Sequence, residues 1–75
     1  MTDKNKLRSQ MALHALTDGD LADSIGLSRQ SMSYKLNGKR DFTVREIDAI
    51  SRLLDLSLEE RDEIFFANTV EKDST

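Results

Sequence analysis

The sequence predicts an all-α fold, a compact bundle of about five short helices. Three observations carry this reading. Polar N-cap residues recur at Thr17, Ser28, Thr43 and Ser57, glycines stand at Gly26 and Gly38 where helices would close, and apolar residues recur at helical spacing. No segment alternates apolar and polar residues for long, so nothing reads as a strand. The predicted helices cover residues 4–15, 18–25, 28–36, 44–55 and 58–67.

Each helix has its own justification. In the first, Leu7 and Met11 form an apolar stripe, with the lone histidine, His14, expected to pack at its end. The second opens on Thr17, whose hydroxyl would accept a hydrogen bond from an N–H that the helix leaves unpaired, a contact worth about 1 kcal/mol. Asp20 makes a short version of the capping box there, and Leu16 can staple onto Leu21. Leu21, Ala22 and Ile25 point inward, and Gly26 supplies the left-handed residue that closes the helix. The third helix starts at Ser28, staples Leu27 onto Met32, buries Met32 and Leu36, and closes at Gly38. The fourth has the full box Thr43–Glu46, the staple Phe42–Ile47 and the stripe Ile47, Ile50 and Leu54. The fifth has the box Ser57–Glu60 but no staple, because Leu56 would meet Arg61.

Seventy-five residues allow one domain, expected over residues 1–68 with a flexible tail at 69–75. The absence of cysteine excludes a disulfide framework and thiolate metal sites and fits a reducing cytoplasm. No apolar run approaches the roughly 18 residues of a membrane span, and the start lacks the apolar core of a signal peptide. There is no glycine-rich phosphate loop, no nucleophile with an evident base and no set of metal-ligating residues. An enzyme, a cofactor, a bound metal and a small-molecule substrate are therefore not expected.

The informative stretch runs from Leu16 to Arg40. A helix of about eight residues ends at Gly26, Leu27 follows alone, and the next helix begins at Ser28. So short a connection makes the two helices cross steeply, with the small Ala22 at the crossing, and leaves the second helix protruding. Its outward face carries Arg29, Gln30, Ser33 and Tyr34, all hydrogen-bond donors. A convex helix bearing donors and a guanidinium matches the width and acceptor pattern of the DNA major groove.

The pattern Ala22, Gly26, Leu27, Ser28 and Asn37-Gly38-Lys39 resembles the helix-turn-helix of Cro/CI-type (Xre-like) phage regulators, with a lambda-repressor-like fold. The stretch KLNGKRDFTVREI followed by LSLEERDEIFF is similar to small phage-encoded regulators of Gram-positive bacteria. The resemblance spans about residues 5–67 and places the motif at 17–37. It implies that Arg29 and Gln30, near the start of the recognition helix, read base edges, with Ser33 and Tyr34 one turn on. It further implies phosphate contacts from the loop residues Asn37, Lys39 and Arg40, with Ser28 and Lys35 also in the DNA-binding set. Operator DNA is then the partner, bound as a homodimer or as a heteromer with a larger phage repressor, in the cytoplasm of a bacterial host at a lysis–lysogeny switch. The chain departs from the family's pattern at two places. Asp18 stands where a glutamine often contacts phosphate, and the core position after Tyr34 falls on Leu36 instead of Lys35.

Charge is unevenly spread. The net charge is −3, yet residues 28–45 carry Arg29, Lys35, Lys39, Arg40 and Arg45 against Asp41 alone, while residues 46–75 hold nine acids against three bases. The local positive charge suits nucleic acid. The acidic remainder, Asp18 and the C-terminal apolar residues Ile64, Phe65, Phe66 and Val70 suit a second class of function: a modulator or antirepressor that binds a larger CI-type repressor. Phe65 and Phe66 are about 100° apart on a helix and cannot both face one core. Either one of the four apolar residues serves a protein interface, or Phe65 seals the core and Phe66 is half covered.

Overall fold

A computed structural model describes residues 2–66, which contain five helices and no strand. They are α1 (Lys4–Leu13), α2 (Asp18–Ile25), α3 (Arg29–Leu36), α4 (Val44–Leu53) and α5 (Leu58–Phe65). The predicted tail at 69–75, Val70 and the last predicted residue of the fifth helix lie outside the described residues. None of the described helices is long and apolar enough to cross a membrane.

The helix starts follow the sequence signals. Thr17, Ser28, Thr43 and Ser57 each accept a hydrogen bond from the N–H three residues on, at 3.1 Å in every case. The return bonds of the box form at Asp20, Glu46 and Glu60, at 2.8–3.0 Å. Asp3 caps α1 in the same way through the Lys6 N–H, a start that the apolar pattern alone does not mark.

The helix ends hold more than the glycines announce. At α2 the Gly26 N–H donates to the Asp23 carbonyl and the Leu27 N–H reaches back to Ala22, with Gly26 at φ 75°. The same double closure ends α3, with Gly38 at φ 78° and the Lys39 N–H on the Tyr34 carbonyl. It also ends α1 and α4, where the left-handed residue is Ala15 (φ 56°) or Asp55 (φ 52°), followed by Leu16 on Met11 and Leu56 on Ser51. These are Schellman closures. They stop α1 and α4 two residues before the predicted ends at 15 and 55, because a side-chain-bearing residue takes the conformation usually left to glycine. His14 is the exposed C-cap of α1.

Three of the four connections therefore share one construction: a left-handed residue, a leucine, then a hydroxyl N-cap. They are Ala15-Leu16-Thr17, Gly26-Leu27-Ser28 and Asp55-Leu56-Ser57. The leucine in each is partly buried against the core, so it serves the helix that ends and the helix that begins. Leu56 does this without a staple partner at Arg61.

The core joins Leu7 and Met11 of α1, Leu21 and Ala22 of α2, Met32 and Leu36 of α3, Ile47, Ile50 and Leu54 from α4 and its cap, and Ile64 and Phe65 of α5. Phe42, in the longer α3–α4 connection, meets Phe65 edge to face with ring centroids 5.7 Å apart. α2 packs on α3 and on α4, and α5 packs on α1 and α4. α1 and α5 run antiparallel: the Asp3 N–H donates to the Ile64 carbonyl at 2.6 Å, Lys6 faces Glu63, and Gln10 donates to Glu60. Ile64 and Phe65 are thus core residues, which corrects their assignment as interface candidates. Phe66 is half-buried at the core's edge. The pair divides as the 100° argument requires.

A left-handed residue with a side chain costs about 1–2 kcal/mol, more than glycine's extra flexibility takes back. Ala15→Gly is expected to stabilise the domain by about 0.5–1 kcal/mol and Gly26→Ala to destabilise it by about 1 kcal/mol. Thermal melts of the two variants should therefore shift in opposite directions.

Candidate nucleic-acid interface

The α2–α3 corner presents α3 to solvent. Ser28, Arg29, Gln30 and Ser33 are exposed and Tyr34 is half-buried, so the outward face stays uncovered. The Ser28 hydroxyl is committed to the cap of α3. Gln30 lies one turn before Tyr34, and its amide Nε2 donates to the Tyr34 hydroxyl at 3.0 Å. Beyond the helix, the Lys39 ammonium and the Arg40 guanidinium stand 5.5 Å and 5.7 Å from the centre of the Tyr34 ring, within cation–π range.

Asn37, exposed, is the C-cap of α3. Its amide donates to the Ser33 carbonyl at 2.9 Å and to the Ser33 hydroxyl at 3.3 Å, while its Oδ1 accepts from Lys4 at 2.8 Å. Lys4 thus joins the site from α1, thirty-three residues away. Nothing local in the sequence pairs it with Asn37, and only the packed fold makes the connection visible.

Lys35 is the exception among the expected DNA-binding residues. Its ammonium bonds to Glu46 Oε1, with the two side chains only 11% and 14% exposed, and it also sits 6.0 Å from the Phe42 ring centre. This corrects its place in the set: Lys35 ties α3 to the start of α4. The geometry follows from Leu36, which takes the core position and turns Lys35 toward α4. The same Oε1 accepts the Thr43 N–H of the capping box. Burial pushes the Glu46 carboxyl upward, but the Lys35 ammonium and the Thr43 groups outweigh it and hold the pKa below the ordinary glutamate value.

Between the start of α2 and α3 lies an open cleft of about 420 Å³ lined by Thr17, Asp18, Gly19, Arg29, Met32 and Ser33. The two aspartates near it are both engaged. Asp18 pairs with Arg8 at 2.9 Å, which offsets the charge that would repel a phosphate. Asp20 is held below the ordinary aspartate value, first by the Thr17 N–H, then by the Thr17 hydroxyl and, more weakly, by Arg29. The Arg29 guanidinium lies back over Gly19, where an added Cβ would meet Nη2 at 3.3 Å.

The ion pairs sort the bases into two groups. Among the described residues, Lys6, Arg8, Lys35, Arg52 and Arg61 each have a carboxylate within 4.0 Å. Lys4, Arg29, Lys39, Arg40 and Arg45 are in no such pair, and Arg29, Lys39 and Arg40 stand beside the exposed face of α3. Positive charge uncompensated by the protein thus gathers where a polyanion would dock.

Comparison with known proteins agrees with this arrangement. Residues 6–60 match the Cro/C1-type HTH DNA-binding domain family. A protein of Methanocaldococcus jannaschii described as an uncharacterized HTH-type transcriptional regulator is 37% identical over 57 residues, covering 76% of this chain and 86% of the relative. No solved structure matches the chain.

Lys35→Met would keep the apolar stem against Phe42 while leaving Glu46 with its cap alone. The expected loss is about 1–2 kcal/mol at neutral pH. Because the folded-state pKa of Glu46 is depressed, the pair's stabilisation is present above the unfolded value near 4.3 and fades as pH falls through the folded one. The stability gap between wild type and Lys35→Met, followed by urea unfolding, should therefore narrow as pH is lowered from neutral through the ordinary glutamate range and below it.

Proposed function

The chain belongs to the Cro/C1-type helix-turn-helix DNA-binding family, and we propose that it regulates transcription by seating α3 in the major groove of operator DNA. The observation that carries this is the uncovered face of α3, flanked by Arg29, Lys39 and Arg40 with no carboxylate partner among the described residues. Arg29 and Gln30 are the side chains suited to base edges, arginine to guanine and glutamine to adenine. Lys39 and Arg40 serve phosphates, and Ser28, Ser33 and Asn37 border the same surface, with Lys4 behind Asn37. A module of this size covers too little DNA for tight specific binding. It therefore acts as a dimer on half-sites about one helical turn apart.

The finer role is a Cro-like regulator in a phage or prophage lysis–lysogeny switch, working in the bacterial cytoplasm. The likeness of KLNGKRDFTVREI to phage-encoded regulators supports it. The alternative, a modulator that grips a larger repressor, loses two of its supports: Asp18 is paired with Arg8, and Ile64 and Phe65 are in the core. A duplex shift that appears only when the neighbouring repressor is added would favour the modulator.

Selection of duplexes from a random pool, followed by gel-shift titration, tests the reading. Arg29→Ala should cost about 1–3 kcal/mol and relax preference at one base pair. Lys39→Ala should weaken all sequences alike and lower the log–log salt slope by about 1. Unchanged binding in both variants would refute the docking of α3.

A further inference from the structure

Tyr34 stands at the centre of the DNA-facing surface, yet its polar and aromatic parts are both occupied by neighbours. Its hydroxyl accepts one hydrogen of the Gln30 amide at 3.0 Å. Its ring receives Lys39 and Arg40, whose cationic groups lie 5.5 and 5.7 Å from the ring centre. Its carbonyl accepts the Lys39 N–H at 2.9 Å, closing α3 through the left-handed Gly38 and turning the chain back over the ring. Two like charges thus converge on one neutral ring, and among the described residues neither Lys39 nor Arg40 has a carboxylate within ion-pair distance.

A glutamine amide carries two N–H donors and one carbonyl acceptor. Pairing with adenine needs one donor, for N7, and the carbonyl, for the N6 amino group. The Tyr34 hydroxyl takes only the second donor. It leaves the adenine-reading pair intact and fixes the order in which the amide presents it. With that oxygen removed, the amide can rotate and offer donor and acceptor the other way round, which suits other bases.

We propose that Tyr34 is a positioning residue that couples base reading to backbone contact: its hydroxyl sets the orientation of the Gln30 amide, and its ring gathers Lys39 and Arg40 at the phosphate-facing edge of α3. This rests on the reading of α3 as the groove-docked helix.

The experiment compares wild type, Gln30→Ala, Tyr34→Phe and Tyr34→Leu by selection from a random duplex pool and by titration of the selected duplex at several salt concentrations. Gln30→Ala identifies the base pair that Gln30 reads. Tyr34→Phe keeps the ring and should lose preference at that same base pair, weaken the selected duplex about three- to tenfold and keep the wild-type salt slope. Tyr34→Leu should lose the preference and also flatten the salt slope. Tyr34→Phe with wild-type preference at the Gln30 base pair, or Tyr34→Leu with a wild-type salt slope, overturns the coupling while leaving groove docking intact. A wild type that selects no sequence at all overturns the docking of α3 and the role of Tyr34 with it.

Discussion

Helices of eight to ten residues do not persist alone in water, because nucleation costs more than so few backbone bonds return. The whole domain therefore depends on how the helix ends are satisfied. One three-residue construction does most of this: a left-handed residue accepts the closing geometry, a leucine goes down into the core, and a hydroxyl starts the next helix. Its repetition at Ala15-Leu16-Thr17, Gly26-Leu27-Ser28 and Asp55-Leu56-Ser57 leaves almost no slack between elements. The α2–α3 corner is one of these three, so the exposed helix takes its direction from the same backbone rule that shapes the rest of the bundle. No special loop is needed to make it protrude.

Charge is then distributed on that frame. Most acids of the acidic half are exposed or serve caps, and Asp18 and Glu46 each hold a base on another element. A chain with a net charge of −3 can still present a positive face, because Arg8 and Lys35 are matched inside the protein while Arg29, Lys39 and Arg40 are left to meet something else. At physiological ionic strength, charges more than about 8 Å away are largely screened. The local pattern around α3 consequently outweighs the total.

How much of this is legible in the sequence depends on the range of the interaction. N-caps and boxes act over three residues, and all four hydroxyl starts lie where Thr17, Ser28, Thr43 and Ser57 place them. The outward face of α3 is equally local, since 100° per residue separates Arg29, Gln30 and Ser33 from Met32 and Leu36. Helix ends are less legible, because Ala15 and Asp55 adopt a conformation that residue type does not advertise. Least legible are contacts between elements. Lys35 reads as a basic residue on a basic helix until Glu46 is brought beside it, and nothing in the chain order joins Lys4 to Asn37.

One oxygen has a double duty with a dynamic consequence. Glu46 Oε1 receives both the Thr43 N–H and the Lys35 ammonium. Fraying of the first turn of α4 therefore also releases the tie on α3, whose main helical packing partner is α2. The amides at the start of α4 and along the second half of α3 are therefore expected to open as one unit although they sit on different helices. The hold on the exposed helix is thus shared with the first turn of the helix that follows it.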